Sequence, residues 1–147
     1  MTPRAGPHLE CKRSMRMRYS VSIDVPRLDE GLRFYRDALG FAEIARPVAT
    51  YVILTCGDAQ IGLIEKPAGS RPAEGADDVR RYERHWTPVH IDFHPDDFEA
   101  FLESAVNAGA RCERKFPGGV HPPIAFCSDP FGNGFCVIGT RPGQRSA

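Results

Sequence analysis

The sequence lacks a surplus of charge of either sign: Lys plus Arg number 19, and Asp plus Glu number 19, in 147 residues. A nucleic-acid-binding surface normally shows as a basic excess, so the balance argues against that class. No apolar run approaches the ~18–20 residues needed to span a bilayer. The amino-terminal stretch has no apolar core of the signal-peptide kind, which makes a cytoplasmic protein the expectation. Cysteine is sparse and unpatterned. Five residues, at positions 11, 56, 112, 127 and 136, make an odd number with no C-x-x-C pair. Neither a disulfide framework nor a thiolate metal cluster has that spacing. Four of the five fall in stretches that read as strands, and they are expected to be reduced, small buried hydrophobes. Tryptophan occurs once, as Trp86.

The chain length suits one domain or a tight pair of small modules. Residues 1–17 mix Pro3, Gly6 and Pro7 with four basic side chains and show no periodicity, so they read as a tail, as do residues 141–147. Met15 and Met17 are alternative starts to Met1.

From Tyr19 the pattern sharpens. Tyr19 to Val25 alternates, with Val21, Ile23 and Val25 on one face and Ser20, Ser22 and Asp24 on the other, which is the period of a half-buried strand. Leu28, Leu32, Tyr35 and Leu39 follow at helical spacing, and Gly40 stands where a helix-closing glycine would. Strand candidates come at Ala42 to Arg46, Thr50 to Cys56 and Gln60 to Glu65, with Gly57-Asp58 as a hairpin turn. Residues 67–84, rich in Pro, Gly and charge, read as a linker, with Arg80 to Arg84 as a solvated helical turn.

The order then repeats. Val89 to Phe93 alternates, with His90, Asp92 and His94 on the polar face. Asp96 is in capping-box register with Glu99, ahead of an apolar stripe from Phe98 to Val106 that Gly109 closes. Further strands are expected at Arg111 to Phe116, Pro122 to Cys127 and Gly134 to Gly139. The helix stripes begin 70 residues apart, at Leu28 and Phe98. Strand, helix and three strands thus occur twice, an internal repeat of pattern. The expected fold is α+β: two tandem βαβββ modules, at 18–66 and 85–140, forming a curved mixed-sheet cup with the helices outside.

The residues that carry this pattern resemble a known family. The stretch from Ser20 to Phe41, with its Phe34-Tyr35 pair and its Leu39-Gly40-Phe41 turn, resembles the opening of a glyoxalase/bleomycin-resistance module. Asp129-Pro130-Phe131-Gly132-Asn133 resembles that family's turn before its last strand, and Gly132 and Asn133 both tolerate positive φ. The resemblance, to the vicinal oxygen chelate superfamily that includes extradiol dioxygenases, covers about residues 18–140.

It implies a small-molecule cavity between the modules and, in metal-dependent members, four ligands. Carried over by position, these fall on Ser20 (or Ser22, if the register slips by two), Gly62, His90 and Cys136. Only His90 is a standard ligand there, and about three are needed for an open catalytic site. The expectation is therefore no metal and no cofactor. The ligand-binding residues would be His90, Asp92, Ser20, Ser22 and Cys136, with Trp86 walling the cavity, where it could stack on a flat ligand, or packing on the linker or a subunit interface. The leading reading is a small-molecule-binding protein, either sequestering or an enzyme working with acid–base residues. The rival is a metal-dependent lyase, epimerase or dioxygenase using His90 with unorthodox partners among Asp92, His94, His85, His121 and Cys136. A ligand-free dimeric scaffold is the third. A homodimer is expected, since curved sheet edges gain from burial.

Overall fold

The computed structural model describes residues 18–141. The tail expected at 1–17, with Cys11, lies outside the described residues, as do the last six.

Strand β1 (Val21–Val25) leads into helix α1 (Leu28–Leu32), which continues as π-helical turns over Arg33–Ala38. Strands β2 (Ala42–Val48), β3 (Tyr51–Cys56) and β4 (Ala59–Glu65) follow. The second set is β5 (Ile91–Phe93), helix α2 (Phe98–Asn107), β6 (Arg111–Phe116), β7 (Ile124–Ser128) and β8 (Gly134–Ile138). The two sheets have the same topology, β1-β4-β3-β2 and β5-β8-β7-β6. In each, the first strand runs parallel to the last and the remaining pairs are antiparallel. Gly57-Asp58 forms the expected two-residue turn, with Gly57 at φ 55°, a conformation that costs glycine nothing. Among the described residues no helix is long and apolar enough to cross a membrane.

One apolar core serves both sheets. The alternate residues Ile23 and Val25, Val52 and Leu54, Ile61 and Leu63 line the helix-facing side of the first sheet; Ala125, Cys127, Phe135 and Val137 line it in the second. Phe34 and Tyr35 sit between them. Phe34 packs 4.9 Å from Tyr35 and 6.3 Å from Phe135, measured between ring centroids. Phe41 reaches Phe93 at 6.1 Å, and Phe93 reaches Phe135 at 5.6 Å. Full burial of each such side chain is worth roughly 1.5–3 kcal/mol, so this aromatic seam joins the halves firmly.

The Asp-Pro-x-Gly-Asn turn belongs to the seam. Buried Asp129 accepts from Tyr35 Oη (2.6 Å), Asn133 Nδ2 (2.9 Å) and the backbone amides of Phe131 (2.9 Å) and Asn133 (2.8 Å). Gly132 alone takes positive φ, at 89°; Asn133 does not.

Several expected boundaries move. Strand β1 begins at Val21, leaving Tyr19 and Ser20 ahead of it, and β5 begins at Ile91, leaving Val89 and His90 ahead of it. The cap of α2 is Asp97, which accepts from Ala100 N at 3.0 Å, and not Asp96. Cys56 is exposed rather than buried, because the hairpin it ends projects from the core. The stretch from Arg80 to Arg84 forms no helical turn: its side chains are committed elsewhere. Arg80 pairs with Asp24 of β1 at 2.7 Å, Tyr82 Oη donates to Lys66 O at 2.6 Å, and Arg84 pairs with Glu113 of β6 at 2.5 Å. The linker is thus pinned to both sheets.

Candidate functional site

On the face away from the helices, each sheet carries one row of side chains that can be read from its register. In the first sheet the row runs Ser22, Gly62, Ile53, Ala45. In the second it runs Asp92, Cys136, Phe126, Arg114. Ser22 faces Gly62 as Asp92 faces Cys136, so Ser20 is the counterpart of His90.

The second row carries the chemistry. His90 Nε2 lies 3.1 Å from Asp92 Oδ1, with both side chains nearly half exposed. Two residues apart on an ideal strand would put their Cα atoms ~6.5–7 Å apart. His90 stands just ahead of the strand, which starts at Ile91, and its side chain reaches over to Asp92. The Cys136 thiol lies beneath, only 5% exposed. One ligand atom from each of His90, Asp92 and Cys136 lies within 4.8 Å of the others. Burial, and then the negative charge and hydrogen bonding of Asp92, push the Cys136 thiol up to about 11. It is therefore a neutral thiol at ordinary pH, and a poor nucleophile. On the helix-facing side, burial and the neighbouring Cys112 push Cys127 up to about 12.

The first row carries none of this. Gly62 has no side chain, and the ring of Tyr51 occupies the space above it: a Cβ there would stand 2.8 Å from Tyr51 Cε2. The position that would supply a carboxylate is closed by an aromatic ring, so the family's four-ligand set does not fit this chain. His94, His85 and His121 stay outside the three-residue cluster.

Three adjoining depressions surround His90 and Asp92. A groove of about 450 Å³ between β1 and β5 is lined by Ser22, Asp24, Tyr35, His85, His90 and Asn133, among others. A second, of about 520 Å³, holds Ser20, Asp58, Gln60 and Asp92. A third, of about 160 Å³, is lined by Arg84, Trp86, His90, Glu113, Phe126 and Cys136. The structure thus brings His90, Asp92 and Cys136 together and sets Trp86 at their rim. Ser22 shares a groove with His90, and Ser20 lines the second depression with Asp92. Arg84, Glu113 and Phe126 were not among the site residues expected from sequence. Phe126 was legible through strand alternation, two rungs from Ile124; the Arg84–Glu113 pair spans 29 residues and left no local signal.

The comparisons with known proteins agree with the fold. The sequence matches the glyoxalase-like domain over residues 20–138. No curated protein sequence matches it. Among solved structures, a hypothetical protein from S. aureus superposes with a TM-score of 0.66 at 19% identity, covering 86% of this chain and 96% of that one. Lactoylglutathione lyase from Agrobacterium tumefaciens gives 0.58 at 17% identity, covering 86% and 96%. A variant of the fosfomycin resistance protein FosX from Listeria monocytogenes, complexed with Mn(II) and 1S,2S-dihydroxypropylphosphonic acid, gives 0.63 at 15% identity, covering 86% and 92%. With a repeated βαβββ topology and a family match across most of its length, the chain belongs to the glyoxalase-like domain family of the vicinal oxygen chelate superfamily.

Proposed function

We propose that this protein binds a small molecule at the His90–Asp92–Cys136 corner without the family's four-ligand metal. The observation that supports the reading is the asymmetry of the two rows. Gly62 and Ser22 offer no ligand set, and Tyr51 fills the space where one would reach. His90 and Asp92 are within 3.1 Å at the edge of an open groove. An imidazole beside a carboxylate provides a donor and acceptors at one spot, sufficient to orient a hydroxyl or to move a proton from it.

Elemental analysis of the purified protein, joined to a metabolite thermal-shift screen, tests this directly. The expected result is no stoichiometric divalent metal, a melting temperature raised by at least one metabolite, and several-fold weaker binding by His90→Ala with its fold intact. Losing one such hydrogen bond costs about 0.5–1.5 kcal/mol, or about 1.5–3 with a charged ligand.

A second reading has its own support. The mutual approach of His90, Asp92 and Cys136 within 4.8 Å suits a borderline-soft ion such as zinc. Stoichiometric metal that is lost in His90→Ala would replace the first reading with a metal-dependent one. Pairing of two copies belongs to the same proposal: exposed Ile44 and Val48 on the edge strand β2, and Phe116 on the edge strand β6, gain from cover. A monomer mass by light scattering at micromolar concentration would count against it.

A further inference from the structure

The end of the linker, from Glu83 to Thr87, lies across the open face of the second sheet rather than beside it, and two glycines make the room. A Cβ on Gly132 would stand 2.5 Å from the Glu83 carbonyl carbon; one on Gly134 would stand 2.9 Å from Arg84 Nη1. The Arg84 guanidinium is therefore laid on the first residue of β8. Glu113 holds it from β6 at 2.5 Å, and it donates in turn to His85 O. Glu113 answers to the same contact, since Arg84 holds its carboxyl below the usual range.

This strap delivers Trp86 to the rim of the 160 Å³ cavity, where the indole remains 80% exposed. Phe126 lines the same cavity and is 41% exposed. Phe116 backs Phe126 edge-on at 5.9 Å, and Arg114 sits 4.4 Å over the Phe116 ring. Phe126 is thus held from outside the cavity, while Trp86 is placed by the strap backbone. Cys136 lies at its foot, and His90, whose Nε2 is 3.1 Å from Asp92 Oδ1, lines it as well.

The geometry points to the strap as the specificity-determining wall of the site, with Trp86 selecting a flat, π-conjugated ligand whose hydroxyl meets His90 and Asp92. The inference rests on the small-molecule reading above and sharpens it to a ligand class. Two aromatic walls reward a planar ring through offset or edge-to-face stacking beyond the area it buries, whereas a saturated ring of equal size gains the area alone. The carboxylate accepts and the imidazole does either, so a hydroxyl is matched at the polar end.

Phenol and cyclohexanol, each with six ring carbons and one hydroxyl, separate the two contributions when titrated against the full chain by NMR. Phenol is expected to bind about two- to ten-fold more tightly. Trp86→Ala should abolish that preference and Trp86→Phe should keep most of it. Gly134→Ala, which displaces the guanidinium, should weaken the preference; if that variant does not fold, Arg84→Ala removes the same clamp from the strap side. Equal binding of the two probes by the parent, or a preference that survives Trp86→Ala, overturns the role of the strap and leaves the small-molecule site standing. Failure of both probes to bind, with the His90 resonances unmoved, overturns the ligand class assigned to the strap; a metabolite thermal-shift screen that also finds no ligand removes the small-molecule reading itself.

Discussion

Ser22, Gly62 and Ile53 in the first sheet occupy the same rungs as Asp92, Cys136 and Phe126 in the second. The backbone is the same twice over, yet one row holds a carboxylate, a thiol and an aromatic ring while the other holds a hydroxyl, nothing and an aliphatic chain. The helix-facing rows have not parted in this way. Ile23, Leu54, Ile61 and Leu63 in one half answer to Phe93, Cys127, Phe135 and Val137 in the other, and all are buried. Every helix-facing residue must displace water from the shared core, so its chemistry is constrained to be apolar. The open-face residues meet solvent or ligand, and packing places no such demand on them. A repeated module can therefore keep its fold in both copies and its site in one.

The largest test of this contrast is made in the core, where the halves are expected to act as one. Phe34, 1% exposed, touches Tyr35 in its own half and Phe135 in the other. Phe34→Ala should cost about 3–5 kcal/mol, and urea unfolding should remain a single transition. Two separated transitions in the parent would show that the halves are independent domains and break the comparison. A smaller loss is expected at the polar end of the same seam. Tyr35→Phe leaves buried Asp129 short of one donor and should cost about 1–3 kcal/mol. Burial holds both groups against ionisation, the tyrosine well above its ordinary range and the carboxyl above its own despite its four donors.

Gly62→Ala sharpens the comparison at the site itself. The added methyl meets the Tyr51 ring at 2.8 Å, and moving that ring should cost about 1–2 kcal/mol. In a Tyr51→Ala background the same change should cost little, a coupling readable in a double-mutant cycle. Equal costs in both backgrounds would mean that Tyr51 does not close the position.

Most of the fold was legible because it rests on local periodicity. Alternation from Tyr19 to Val25 and the helical stripes from Leu28 and Phe98 report burial on one face, and burial is what forms these elements. Boundaries were lost where a tertiary contact decides them. His90 alternates with Ile91 like a strand residue, yet leaves the ladder and turns onto Asp92. Arg80 and Arg84 have the look of a solvated charge run, but each finds a carboxylate on a distant strand, Asp24 and Glu113. Of the site, His90, Asp92 and Cys136 follow from the residue pattern and the family positions together. The strap over Gly132 and Gly134 arises from an approach between segments far apart in the chain, which no local spacing encodes; the Tyr51 ring over Gly62 is a contact across the β3–β4 hairpin that depends on which way the ring turns, and alternation does not report that.

The smallest effect is expected at Cys136, and it separates the two faces of one sheet. Cys136 looks onto the open face at the foot of the 160 Å³ cavity, while Cys127, one strand away, looks into the core. Both thiols are raised by burial, to about 11 and about 12. Only the thiolate attacks an alkylating reagent, and its fraction grows about ten-fold per pH unit while pH stays below the pKa. Iodoacetamide labelling of Cys136, followed by mass spectrometry of the intact folded protein, should therefore be slow at pH 7. It should climb steadily to about pH 10 and bend only near 11. Removing Asp92's charge in Asp92→Asn should move that bend down, because that charge adds to the burial that holds the proton on sulfur. Cys127 should stay unlabelled until the protein opens. A Cys136 rate already flat at pH 8 would mean a thiolate poised for attack, and the corner would then be nucleophilic rather than a hydrogen-bonding floor.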